Sequence, residues 1–63
     1  MTITAREMDA YTTKAQELAR AGDILGIAKL ADEARQRGAS QQYVSNIERY
    51  TEAAVMARQR RNR

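Results

Sequence analysis

The chain has 63 residues and contains no cysteine, histidine, proline, tryptophan or phenylalanine. Eleven Lys and Arg against eight Asp and Glu leave a net charge of +3, and without the terminal Arg58, Arg60, Arg61 and Arg63 the balance is 7 minus 8, or −1. These counts exclude a disulfide staple, a thiolate or imidazole metal site and histidine- or cysteine-based nucleophilic catalysis, and they bound the chain to one small domain, 1–63, with an arginine-rich tail at 58–63.

The first predicted helix runs over about 4–21. Met8, Tyr11, Ala15 and Leu18 recur at spacings of three and four, which lines one face. Thr2 or Thr4 is placed to cap its start, and Gly22 to take the left-handed position after its last turn.

The second helix is expected over 23–37, with Asp23 as N-cap. Ile24, Ile27, Ala28, Ala31 and Ala34 share its apolar face, opposite Lys29, Asp32, Glu33, Gln36 and Arg37. Gly26 in the first turns permits either a close crossing or fraying. Leu25 points off the main face and is a candidate contact for a protein partner.

The third helix is expected over about 40–60, from an N-cap at Ser40. Tyr43, Val44, Ile47, Tyr50, Ala54 and Ala57 form its seam. About 20 helical residues reach roughly 30 Å, longer than the second helix covers, so part of it should project, fray or pair with another copy.

The fold expectation is therefore all-α: a helical hairpin followed by a longer helix, self-associating. Whether the third helix packs on its own hairpin or on another chain stays open. Twelve of the 27 hydrophobic residues are alanine, so the stock of large apolar side chains is thin. A chain of this length buries only about 60% of its unfolded surface. The interior is expected to be completed against a second molecule.

The sequence offers no catalytic residues, no metal ligands and no cofactor site. Carboxylate neighbours such as Asp32 and Glu33 lie on a polar helix face, and no glycine-rich phosphate loop is present. No apolar run approaches the roughly 18–20 residues of a membrane span. The N-terminus lacks the apolar stretch of a signal peptide, so a cytoplasmic location is expected.

Residues 34–49 read Ala-Arg-Gln-Arg-Gly-Ala-Ser-Gln-Gln-Tyr-Val-Ser-Asn-Ile-Glu-Arg. Ala34, then Gly38 four later, then Val44 and Ile47 six and nine after the glycine, carry a local resemblance, over residues 30–49, to the lambda-repressor/Cro type of helix-turn-helix. The resemblance implies that Ser40, Gln41, Gln42 and Ser45 face DNA, with glutamine able to pair with adenine. The same segment also reads simply as a helix stop, a cap and an amphipathic helix.

Arg58, Arg60, Arg61 and Arg63 suit phosphate contacts. They equally offset a helix dipole and aid solubility. Tyr43 and Tyr50, seven apart, are either core seam or anchors for a partner. Val55 and Met56 lie at the margin of their face and join Leu25, Tyr43 and Tyr50 as interface candidates.

Two functions follow as expectations. The first is a small non-enzymatic regulator, of the phage or plasmid type in size, that binds a protein target as inhibitor or adaptor and forms a homo-oligomer. The alternative is a nucleic-acid-binding regulator that uses 34–49 and the arginine tail. Neither involves a membrane.

Overall fold

Each helix begins on a side-chain oxygen, and the first two end on a glycine. A computed structural model describes residues 3–61, which form α1 (Ala5–Ala21), α2 (Ile24–Gln36) and α3 (Gln41–Arg61). These bounds lie within one residue of those expected at every described end. At the start of α1 the Thr4 hydroxyl accepts from the Glu7 amide at 3.1 Å, while it donates to the Glu7 carboxylate. Asp23 accepts from the Gly26 amide at 2.8 Å, and Ser40 from the Tyr43 amide at 3.2 Å. Such caps contribute about 1 kcal/mol each.

Both turns close in the same way. The Gly22 amide donates to Ala19 C=O and the Asp23 amide to Leu18 C=O, at 3.1 and 2.9 Å, with Gly22 at φ 74°. After α2, Gly38 donates to Arg35 and Ala39 to Ala34, both at 3.0 Å, with Gly38 at φ 96°. This paired pattern satisfies carbonyls that a helix end leaves orphaned, and it needs the left-handed backbone that glycine adopts without a Cβ penalty.

The two short turns set α1 against α2 and α2 against α3 in opposite directions, so α1 and α3 run parallel. Near the start of α1, Tyr43 reaches Met8 and Thr12; near its end, Arg61 reaches Ala21. The Cα trace spans 44 × 17 × 15 Å, so the three helices lie side by side along one axis. The third helix thus packs on its own hairpin, which answers the question left open by the sequence. At 1.5 Å per residue α3 is about 31 Å long and outruns the 13-residue α2, and its last turn is exposed.

Within the one chain the three helices bury a common interior, while Val55 and Met56 stay exposed on α3. Ile27, Val44 and Ile47 are buried, and Ala15, Ala34 and Ala54 fill the seam between them. Alanine allows the close approach of backbones that a sparse set of large side chains needs in order to touch. Each of the three large residues contributes about 1.5–3 kcal/mol by leaving water.

One assignment changes. Ala28, expected on the buried face, is exposed, because the core side of α2 centres on Ile27, Leu30 and Ala34. Ile3, just before the Thr4 cap, is buried. Gly26 does sit at a close approach: a Cβ there would lie 3.0 Å from a Leu18 methyl.

Candidate functional site

On the α1–α3 side, small residues leave a shallow groove. Ala19 on α1 and Ala53, Met56 and Ala57 on α3 form its floor, with Arg20 and Arg60 at its rim. The groove exists because Ala19 and Ala57 stop short of the space between two parallel helices. Met56 is 57% exposed there. Among the described residues, neither Arg20 nor Arg60 has an ion-pair partner. Met56 was expected as a contact residue; Arg20 was not. The convergence of two arginines 40 residues apart has no signal in the local pattern.

The other interface candidates fall in different places. Leu25 is 74% exposed on the outer side of α2, and Val55 is 37% exposed on α3. Tyr50 is half-buried against the core. Tyr43 is half-buried too, and its hydroxyl is already engaged: it donates to the Met8 carbonyl and lies 2.8 Å from the Thr12 hydroxyl. This pins the first turn of α3 onto α1. Tyr43→Phe should cost about 1–2 kcal/mol, read from chemical denaturation, whereas Tyr50→Phe should cost little. Equal losses at the two sites would contradict a latch at Tyr43.

The nucleic-acid candidates divide likewise. Gln41 and Gln42 are exposed at the start of α3, Ser45 is half-buried and the Ser40 hydroxyl serves as the cap. Glu33 and Arg37 are exposed, with Arg37 paired to Glu7 at 3.1 Å. Arg58, Arg60 and Arg61 are exposed at the end of α3, and Arg63 lies outside the described residues. Two of the arginines touch the hairpin. Arg61 donates to the Ala21 carbonyl at 3.4 Å, and the stem of Arg58 lies over Gly22. Both positions favour cations, because α1 and α3 end at the same pole of the bundle.

Tyr11 has an altered titration. Burial, then the neighbouring Glu33 and Glu7 carboxylates, raise its phenol above the ordinary value near 10, against a smaller opposing effect of Arg37. The folded chain therefore holds this proton more tightly than the unfolded chain does. The associated stability is complete below about pH 10 and declines as the pH rises through the folded-state value. Tyr11→Phe should flatten that alkaline decline in a stability-against-pH series.

Among the described residues no group of three or more acidic side chains gathers as a metal site, and no helix is long and apolar enough to cross a membrane. No buried side-chain polar atom among them lacks a hydrogen-bond partner. The chain matches no protein-family model, no curated protein and no solved structure.

Proposed function

We propose that this chain is a non-enzymatic helical module that works by holding a partner protein, as an inhibitor or adaptor. One observation carries the reading. The core is already closed, yet Leu25 and Met56 remain 74% and 57% exposed in a chain with few large apolar side chains. Neither is needed inside, and each would gain about 1.5–3 kcal/mol on burial at an interface. Aliphatic side chains left outside a finished core fit a contact surface better than a catalytic one, and the composition lacks the histidine and cysteine that commonly serve in nucleophile–base pairs.

Capture of partners from a lysate of the source cells, with and without nuclease, tests the reading. A protein retained after nuclease treatment, and lost with Leu25→Asp or Met56→Asp, is the expected result. Capture that disappears with nuclease overturns it. Self-association belongs to the same proposal and is read by sedimentation; a monomer at all concentrations removes it.

The competing reading, nucleic-acid binding through Gln41, Gln42 and the arginine end, is favoured by their exposure on one helix. It ranks second because the Ser40 hydroxyl is engaged as the helix cap and Ser45 is half-buried. It requires a gel shift that weakens steeply with salt.

A further inference from the structure

We propose that the groove between α1 and α3 receives an acidic amphipathic helix of a partner protein, with an apolar side chain against Met56 and carboxylates on Arg20 and Arg60. The inference rests on the protein-binding reading above and names the chemistry of its partner.

Three observations lead to it. First, the floor is apolar and shallow: Ala19, Ala53 and Ala57 leave room, and Met56 supplies an unbranched, adaptable side chain. A phosphate backbone has nothing to gain from such a floor, whereas an apolar helical stripe does. Second, the rim is of one sign. Arg20 comes from the last turn of α1 and Arg60 from the last turn of α3, and no acidic side chain lines the groove. Guanidinium groups present paired donors that match a carboxylate. Third, the charge disfavours a second copy. A symmetric pairing through this groove would bring two Arg20 and two Arg60 side chains together, with no carboxylate from either lining to separate them.

Arg61, bonded to the Ala21 carbonyl at the same pole, adds to the positive field without lining the groove. Arg49 sits one helical turn before Ala53, beside Tyr50 and Asn46, and extends the positive edge toward the middle of α3. Arg49 and Arg60 lie eleven residues apart on α3, about 16 Å along its axis, so an incoming helix laid along the groove would meet cations near its two ends. Its own apolar residues, three and four apart, would face Met56 and the alanines.

The test uses the full chain and a fluorescein-labelled amphipathic peptide of about four helical turns. The peptide carries a leucine stripe flanked by glutamates; a control carries lysines at the glutamate positions. Saturable binding of the acidic peptide is expected, with amide shifts gathered at Ala19–Arg20 and Ala53–Arg60. Met56→Asp, and separately Arg20→Glu with Arg60→Glu, should each weaken it about tenfold or more, and the lysine peptide should bind about tenfold less tightly. All three positions are at the surface, so the variants are expected to fold, with circular dichroism as the check.

Absence of binding, equal binding of both peptides, or shifts gathered around Leu25 would each overturn the proposal. So would a DNA duplex that displaces the peptide and is held equally by Met56→Asp. A dimer in sedimentation that Met56→Asp dissociates would assign the groove to a second copy instead. Lysate capture separates the two levels of the argument. A nuclease-resistant partner that is retained by Met56→Asp but lost with Leu25→Asp preserves the protein-binding reading and rejects this groove. Capture of nucleic acid alone rejects the broader reading.

Discussion

Ile47→Ala should remove a large part of the chain's stability. Ile47 is 1% exposed and belongs to the cluster that joins all three helices, with Ile27 on α2, Val44 on α3 and Ala15 on α1. Truncating a buried isoleucine costs about 2–5 kcal/mol, because the lost transfer energy is compounded by a cavity that helices can only partly close. The total stability of a 63-residue chain, at about 0.05–0.15 kcal/mol per residue, is only about 3–9 kcal/mol. One substitution therefore removes a large part of the whole. Urea titration followed by helical circular dichroism measures it, with Leu25→Ala as the surface control. A loss below about 1 kcal/mol, or equal losses at the two sites, would mean that the closed seam is not what holds the fold.

Gly22→Ala should produce the second large loss, about 2 kcal/mol or more, from two causes. The left-handed backbone at φ 74° costs an L side chain about 1–2 kcal/mol. The added Cβ would also lie 2.6 Å from the Arg58 Cγ, so the arginine stem must move off the turn. Gly38→Ala separates the two. Gly38 has φ 96° at an exposed turn, so it carries the backbone cost with less crowding. Shortening Arg58 to alanine should recover part of the Gly22→Ala loss and none of the Gly38→Ala loss. Full recovery at Gly22 would show that crowding, not backbone conformation, sets the cost.

These two residues mark the boundary between local and distant information. Gly22 was identified as a helix stop because the left-handed requirement acts within one turn of chain. Ile47 was assigned to a seam by its spacing from Tyr43, Val44 and Tyr50, but the identity of the facing helix was not legible. The candidate site was read less completely. Met56 was singled out because it sat at the edge of an apolar face. In α1 alone Arg20 is one more charge on a polar side. The hydroxyl of Tyr43, which the sequence left between core and interface, turned out to be engaged with Met8 and Thr12.

By itself the sequence determined the helices and their ends. Thr4, Asp23 and Ser40 bond amides three residues on, and Gly22 and Gly38 meet a backbone demand of their own, so both effects are complete within a turn. Only the tertiary structure decided that α3 returns parallel to α1, that Ile3 is inside and Ala28 outside, and that Arg20 and Arg60 flank one groove. Periodicity gives the direction of an apolar face and not its partner. The partner is chosen by the burial of Ile27, Val44 and Ile47 together, which is a property of the whole chain and is written in no single stretch of it.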